Sequence, residues 1–161
     1  MATRPGPAAA TAHIELELTN MIGHLLRSCQ QLHVAIWSEM FPGGLTSPQF
    51  AVLHTLAHES ALTQTTLRSR ARLDRSNAAD VIRRLVARRL VSQVKDPTDG
   101  RRRVIRLTNA GRGVYAEATS RAVQVNEAML DGLDALQRTQ LASLLTTVLN
   151  HHRGLLDYQL D

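Results

Sequence analysis

The side chains best suited to specific chemistry lie on one predicted helix that begins after Asp74. Aspartate is a good N-cap, because its carboxylate can accept hydrogen bonds from the free N–H groups of the first turn. At about 100° per residue, one face of this helix is apolar, and its residues are Ala78, Val81, Ile82 and Leu85. The opposite face consists of Ser76, Asp80, Arg83 and Ala87, with Asn77 and Arg84 at its edge. This polar, cationic face predicts a helix that lies against an anionic partner.

A short basic hairpin is predicted to follow this helix. Residues 91–94 and 104–107 alternate apolar and polar side chains, as strands do. Between them, the segment 96–103 reads DPTDGRRR, in which Pro, Asp and Gly predict a turn. Three consecutive arginines, Arg101, Arg102 and Arg103, close the segment. A polar helix face beside a hairpin tipped with arginine suits a DNA major groove and the neighbouring minor groove.

The helix and the hairpin together resemble the winged helix-turn-helix of the MarR family of bacterial transcription regulators, in which the hairpin is called the wing. The wing matches the family's D-P-x-D-x-R…L-T-x-x-G pattern at Asp96, Pro97, Asp99, Arg101, Leu107, Thr108 and Gly111. An earlier stretch resembles the family's L-T-x-x-Q-x-x-x-L helix start at Leu45, Thr46, Gln49, Val52 and Leu53. The likeness covers roughly residues 14 to 157, and its most specific part is the wing.

The resemblance implies a homodimer that binds a palindromic operator, with two reading helices in successive major grooves and two wings in the flanking minor grooves. The residues that it assigns to DNA are Thr65, Thr66, Arg75, Ser76, Asn77, Arg83, Arg84, Asp99, Arg101, Arg102 and Arg103. Asn77 would read a base edge, since asparagine can pair bidentately with adenine. Arg101 corresponds to the minor-groove arginine, and Asp99 would brace its turn. Arg102 and Arg103 point to opposite faces of a strand, so only one is expected to help.

Two positions depart from the family pattern. Position 80 is often basic in the family, but it is Asp80 here. Asp80 can pair with Arg83 or Arg84 one turn further on, accept from a cytosine amino group, or repel phosphate. Arg89 stands where the family often has glycine just past the helix, so it is either a mildly strained left-handed cap or a sign of a different helix end.

The family also implies a small-molecule effector, often an anionic aromatic compound. The candidate contacts are on the first helix, and they are His24, Arg27, Ser28, Gln31, His33 and Trp37. Arg27 can pair with a carboxylate bidentately, and Trp37 can stack on a ring. The alternative is that these are surface polar residues plus one core tryptophan.

Four other functions fit the sequence less well. Cys29 is a candidate redox sensor, but it lies in an apolar stripe, and a buried thiol is usually inert. His54 and His58, like His151 and His152, make an incomplete zinc site, because zinc takes three or four ligands. No nucleophile elbow, phosphate-cradling loop or carboxylate pair with a base indicates an enzyme, and no cofactor or metal is expected. A non-specific architectural DNA-binding protein would share the basic charge.

The charge distribution favours a nucleic-acid partner. The 161 residues carry a formal net charge of +5, yet residues 68–106 hold 13 Lys/Arg against 4 Asp/Glu, which is +9. The remaining 6 Lys/Arg and 10 Asp/Glu give −4, and this segregation is typical of DNA-binding proteins. One cysteine excludes an internal disulfide. No apolar run of about 18 residues predicts a membrane span, so a soluble cytoplasmic protein is expected.

These residues must be positioned by a mainly helical fold. The predicted organisation is a flexible tail over residues 1–12, a dimerisation helix over 13–44, a winged helix-turn-helix domain over 45–108 and dimerisation helices over 109–161. N-caps are expected at Thr46, Asp74, Thr108 and Asp134. An apolar stripe runs from Ile14 to Met40, wider than one contact requires, and it predicts burial on two sides, one of them a partner subunit.

Overall fold

The computed structural model describes residues 21–96, 99 and 102–155, and it is mainly helical with one small sheet. In chain order the elements are α1 Ile22–Met40, α2 Ser47–His58, β1 Leu62–Thr63, α3 Gln64–Arg70, α4 Arg75–Ala87, β2 Val91–Lys95, β3 Arg103–Leu107, α5 Asn109–Met129 and α6 Ala135–His151. The predicted fold class and helix order are confirmed. The expected start of the first helix at Ile14 lies outside the described residues.

The four predicted N-caps are all present. Thr46 and Gln49 form a reciprocal capping box at α2, with Gln49 N donating to Thr46 Oγ1 at 3.4 Å and Thr46 N donating to Gln49 Oε1 at 3.2 Å. Asp134 and Gln137 do the same at α6, with both distances at 2.9 Å. Such caps satisfy backbone donors that a helix start leaves free, so they fix where each helix begins.

The sheet has three antiparallel strands in the order β1-β3-β2, one more than the predicted hairpin. In the hairpin, Val91 lies opposite Leu107 and Lys95 opposite Arg103. The unpredicted strand β1 contains two residues, and its Leu62 lies opposite Ile105. Two residues are too few to show an alternating pattern, so β1 becomes a strand only through its pairing with β3. It ties the start of α3 to the root of the wing.

The core lies under α4, between the helix-turn-helix, the sheet and the ends of α1 and α5. The apolar face predicted for α4 is buried, with relative exposure of 5% or less at Ala78, Val81, Ile82 and Leu85. The largest fully buried side chains around it are Leu53, Leu56, Leu67, Ile105 and Val91. Because one side of α4 is packed in this core, its other side must face outward.

Gly111 allows α5 to approach the root of the wing closely. A Cβ placed there would lie 2.8 Å from Leu107 Cδ1 and well inside contact distance of the Leu90 carbonyl oxygen. Thr108 makes the adjoining connection, because its N–H donates to that carbonyl at 3.1 Å and its hydroxyl lies within hydrogen-bond distance of both Arg89 O, at 2.8 Å, and Leu90 O, at 3.0 Å. The glycine and threonine of the L-T-x-x-G motif thus hold α5 against the wing.

The first half of α1 and all of α6 remain outside the core. Every residue from Met21 to Leu32 is exposed, and α6 has no buried residue. The expected burial of Cys29 is therefore wrong for the protomer, where its thiol is exposed. The physical reason is that the start of α1 extends beyond the core, so the apolar stripe that contains Cys29 has no covering element among the described residues.

Two helices end with arginine in the left-handed conformation, Arg89 after α4 (φ 57°) and Arg72 after α3 (φ 54°). At α4, Leu90 N donates to Leu85 O and Arg89 N to Val86 O, both at 2.9 Å. This is the Schellman arrangement that glycine usually closes. Arg89 is therefore a left-handed cap, the first of its two alternatives. Arg72 has the same conformation, which the sequence did not predict.

Candidate nucleic-acid interface

Helix α4 presents its first turn to solvent, and its cap organises the polar residues there. Asp74 Oδ1 accepts from Asn77 N and from the Ser76 hydroxyl, both at 2.8 Å. These two hydrogen bonds, that from the Asn77 backbone being the larger effect, hold the pKa of Asp74 below its usual value. The Ser76 hydroxyl is therefore engaged by the cap. The Asn77 side chain is exposed, and among the described residues it makes no hydrogen bond, which leaves its amide available to a base edge.

One turn further on, a carboxylate lies between two arginines on the outer face of α4. Asp80 forms ion pairs with Arg84, at 2.6 Å between Arg84 Nε and Asp80 Oδ2, and with Arg83. The hydrogen bond from Arg84 is the first cause, and that from Arg83 a further one, of the lowered pKa of Asp80. Of the three alternatives for Asp80, the structure shows the pairing with the arginines one turn further on. Both arginine side chains stay more than half exposed, so they can still reach a ligand.

The helix before it, α3, lies beside the first turn of α4. Thr63 caps α3 by accepting from Thr66 N at 3.2 Å, and the hydroxyls of Thr63 and Thr66 lie 2.9 Å apart. Thr65 and Arg75 are exposed, and no hydrogen bond or ion pair engages their side chains within the described part of the chain. Thr65 and Arg75 are therefore free to bind an external group, whereas the Thr66 hydroxyl already has a partner.

The described part of the wing is a tight basic turn. Arg102 N donates to Asp99 O, and Asp96 N donates to Arg102 O, both at 2.9 Å. Arg102 and Arg103 are both exposed. The predicted minor-groove residue Arg101 lies outside the described residues, together with Pro97, Thr98 and Gly100. The structure thus closes the turn at Asp99 and leaves Arg102 and Arg103, two of the three wing arginines, exposed.

The candidate effector residues on α1 do not form one cluster in the protomer. Four of the six are exposed, namely His24, Arg27, Ser28 and Gln31. His33 is half-buried, with its ring 5.8 Å from that of Trp37. Trp37 is buried, stacks on Phe41 at 4.5 Å between centroids, and donates from Nε1 to Leu45 O at 2.6 Å. Trp37 is therefore part of the core.

Sequence patterns did not identify an aromatic and histidine cluster that continues from Trp37 across α2 to α5. The Phe50 ring lies 5.6 Å from that of Trp37 and 5.7 Å from that of Tyr115. The Tyr115 hydroxyl lies 3.0 Å from His54 Nδ1 and 3.4 Å from His58 Nε2. His54 and Phe50 are at helical spacing on α2, but only the fold brings Tyr115 to them. Within the described ranges, no group of three or more His, Cys, Asp or Glu side chains could hold a metal ion.

Another residue not identified from the sequence is Arg68 on α3. Its side chain is buried, with 7% relative exposure, beside Gln64, Thr65 and Arg75. Arg68 directly follows Leu67, a fully buried residue of the core. Arginine is usually exposed, so the sequence predicts an exposed side chain at this position.

Comparison with known proteins identifies the family. A model of the MarR family matches residues 43–102, from the turn before α2 into the wing. The HTH-type transcriptional repressor NicR of Pseudomonas putida is 30% identical over 135 residues, which cover 83% of this chain and 85% of NicR.

Two solved structures have the same fold over most of their length. PcaV from Streptomyces coelicolor, solved with its natural ligand, is 38% identical with a TM-score of 0.79, and the match covers 84% of this chain and 96% of PcaV. BpsR from Bordetella bronchiseptica, whose DNA binding is regulated by 6-hydroxynicotinic acid, is 32% identical with a TM-score of 0.79 over 83% of this chain and 96% of BpsR. No helix in the described part of the chain is long and apolar enough to cross a membrane. The match to NicR covers most of both chains, and the family model and the fold agree with it. The chain therefore belongs to the MarR family of winged-helix DNA-binding transcriptional regulators, whose members are not enzymes.

Proposed function

We propose that this protein is a homodimeric cytoplasmic repressor that binds a palindromic operator and is released from it by a small aromatic carboxylate. The observation that carries the DNA part is the outer face of α4. The inner face of α4 is buried in the core, while Asn77, Arg83 and Arg84 are exposed on the other side. A helix with this division of faces fits a major groove, where asparagine and arginine read adenine and guanine edges.

The neighbouring elements supply contacts to the DNA backbone. Thr65 on α3 and Arg75 at the start of α4 are exposed beside the outer face of α4, which is the proposed reading face. Their side chains are suited to donate hydrogen bonds to phosphate oxygens. Arg101 is proposed as the minor-groove residue of the wing, with Asp99 in the turn before it. Arg102 and Arg103 add positive charge at the exposed edge of the same hairpin. Phosphate contacts set the position of the protein on the duplex, and α4 then determines the sequence preference.

Dimer formation is supported by the apolar side chains that the protomer leaves exposed. On α6, Leu136 and Leu144 are each 66% exposed, and Leu155, which follows the end of α6, is 67% exposed. On α1, Ile22 is 69% exposed. Soluble monomers rarely leave large contiguous apolar patches in water, and a two-fold interface would cover both helices at once.

A charge placed in this patch tests the dimer. Leu144→Glu should convert the dimer to monomers at micromolar concentration, measured by sedimentation or light scattering. Thr146→Glu adds the same charge on the opposite side of α6, about 160° from Leu144 around the helix, and should leave the dimer intact. Equal behaviour of the two variants would show that the α6 apolar side is not the interface.

The effector is proposed to be an aromatic carboxylate because the first helix offers both kinds of contact that such a molecule needs. Arg27 is exposed and can pair with a carboxylate in bidentate geometry. His33 and Phe50 lie near Trp37, so an aromatic ring can enter beside them. His24, Ser28 and Gln31 are proposed to contribute from the exposed side of α1, with the partner subunit completing the site. Such a ligand releases DNA only if it binds more tightly to the spacing of reading helices that does not fit DNA.

The deciding experiment is fluorescence anisotropy of a labelled fragment from upstream of the protein's own gene. Protein is titrated at two salt concentrations, against unlabelled random DNA, and then with aromatic carboxylates that include 6-hydroxynicotinic acid. We expect tight, salt-sensitive, sequence-preferring binding that one carboxylate reverses. A log–log salt slope near zero would refute the DNA proposal, because each neutralised phosphate contributes about −0.9.

Two other outcomes would identify the alternatives. Release by peroxide alone would move the switch to Cys29, whose exposure in the protomer makes it accessible. Equal affinity for random DNA would favour an architectural protein.

Asn77→Ala separates base reading from positioning, because it should relax preference at particular bases, whereas a uniform loss over all sequences would make Asn77 a positioning residue. Arg101→Ala should weaken DNA binding with little effect on stability.

A further inference from the structure

Arg68 is a largely buried arginine whose Nε donor has no partner in the described part of the chain. Its side chain is 93% buried, as its 7% relative exposure shows, yet Nε has no hydrogen-bond partner among the described residues. No described carboxylate forms an ion pair with it, in contrast to Arg70, Arg83, Arg84 and Arg138, which each pair with a described acid. Buried charges are normally paired, because removal of an ion from water is costly. The unpartnered Nε donor therefore costs the folded state free energy unless an acceptor joins it.

The surroundings of Arg68 form a polar recess that opens to solvent. The recess has a volume of about 340 Å³ and is lined by Gln64, Thr65, Arg68 and Arg75. Arg75 supplies a second positive charge, while Thr65 and Gln64 supply neutral donors. No acidic residue is among the lining side chains. Two cations and two neutral donors around one open recess have the chemistry of a tetrahedral oxyanion site.

We propose that this recess binds one phosphate group, with Arg68 as the buried ligand and Arg75 as the exposed one. The guanidinium of Arg68 donates from Nε and a terminal nitrogen to phosphate oxygens, and Arg75 and Thr65 donate from the rim. A bidentate guanidinium–phosphate pair satisfies the Nε donor that is otherwise unpaired. Binding therefore pairs the Arg68 guanidinium with an anion and gives its Nε donor an acceptor at the same time.

The favoured source of this phosphate is the backbone of bound DNA, so the identity of the ligand rests on the proposed function. The recess lies between α3 and the first turn of α4, beside the exposed Thr65 and Arg75 that flank the reading face. A phosphate held there by a buried arginine would fix the register of α4, because the packed Arg68 side chain cannot move as an exposed one can. Free inorganic phosphate has the same chemistry and is the other source to test.

The first arm of the experiment uses inorganic phosphate alone. Thermal unfolding of the full-length protein is followed in increasing phosphate, with chloride keeping the ionic strength constant. The melting temperature of the native protein should rise with phosphate concentration, as it does for any ligand specific to the folded state. Arg68→Met keeps an unbranched side chain of related shape without the charge, and it should abolish the rise. Arg121→Met, which removes an arginine from α5, should retain it.

The second arm uses operator duplexes in which single phosphates are replaced by neutral methylphosphonates. Replacement at one position in each half-site should lower the affinity of the native protein about tenfold, as expected for loss of a charged hydrogen bond. The same replacement should leave the affinity of Arg68→Met unchanged, so that the position is silent in this variant. The log–log salt slope of the variant should become shallower by about 0.9 per subunit. If Arg68→Met does not fold, Arg75→Gln replaces it in both arms, with a smaller effect at the same position.

The outcomes separate the two sources and the proposed function. A silent methylphosphonate position in Arg68→Met identifies the DNA backbone as the source. Phosphate-dependent stabilisation that needs Arg68, without such a position, identifies free phosphate. The site is refuted if phosphate stabilises Arg68→Met as much as the native protein, or if it stabilises neither and every methylphosphonate acts equally on both. Because DNA binding by the native protein is measured in the same titrations, failure of the site is distinct from failure of the repressor function.

Discussion

Alanine at Gly111 should destabilise the protein, although alanine is normally the better helix former. The added methyl group would lie 2.8 Å from Leu107 Cδ1, 3.0 Å from the Leu90 carbonyl carbon, and closer still to the Leu90 carbonyl oxygen. The Leu107 side chain can rotate in part. The Leu90 carbonyl cannot move freely, because it accepts from the N–H of Thr108 and shares the Thr108 hydroxyl with the Arg89 carbonyl. Relief of the clash must therefore break part of the connection between α5 and the wing.

The magnitude follows from two opposing effects. Crowding of a packed site costs about 1–3 kcal/mol, and each lost hydrogen bond to Leu90 adds about 1 kcal/mol. Helix propensity returns at most about 1 kcal/mol, because alanine replaces glycine in a helix. We expect Gly111→Ala to lower the free energy of unfolding by about 2–4 kcal/mol, which corresponds to a fall in melting temperature of about 5–15 °C for a chain of this length.

Gly113 is the matched control, two residues later in the same helix. A Cβ at Gly113 would meet no atom within 4 Å, so only helix propensity remains. Gly113→Ala should raise the free energy of unfolding by about 0.5–1 kcal/mol. Both variants are measured by circular dichroism in urea and by thermal unfolding, at one protein concentration because a dimer melts in a concentration-dependent way. Equal stability of the two variants would refute the close approach of α5 to the wing.

Three further predictions concern Asp80, Asp74 and Trp37. Asp80→Asn should free Arg83 and Arg84 for phosphates and steepen the salt slope on random DNA by up to about 0.9 for each arginine, and an unchanged slope would show that the ion pairs do not limit them. The pKa of Asp74 is lowered, so its contribution to stability is present above the unfolded-state value of 3.8 and is lost as pH falls through the folded pKa. The difference in unfolding free energy between the native protein and Asp74→Ala, followed in urea titrations from about pH 5 to about pH 2, should therefore shrink. Trp37→Phe should cost about 1–3 kcal/mol in urea unfolding because it leaves the Leu45 carbonyl unpaired, whereas no cost would mean that this hydrogen bond contributes nothing.

Local signals in the sequence were sufficient for the framework of the fold. Thr46, Asp74, Thr108 and Asp134 are capping residues followed by helical periodicity, and each begins a helix where expected. The apolar face of α4 and the two strands of the wing were predicted for the same reason, since each depends on a short repeat. The outward face of the reading helix follows directly from these elements.

Features that depend on distant parts of the chain were not predictable. Strand β1 exists through its pairing with β3, and Tyr115 reaches His54 only because α5 packs against α2. Arg68 is buried although arginine normally lies at the surface, and Cys29 is exposed although its neighbours are apolar. The two pairings join residues more than 40 positions apart in sequence, which no local repeat reveals.

The absence of any buried residue in α6 has a consequence for how the amount of this protein in a cell would be controlled. In the proposed dimer, α6 gains its packing from the partner subunit, so the protection of this helix depends on protein concentration by mass action. Newly made chains at low concentration would expose α6 and the start of α1 to proteases, since segments with few packed contacts open most readily. A minimum protein concentration would then be needed before the dimer accumulates, which would sharpen the response of repression to the rate of synthesis.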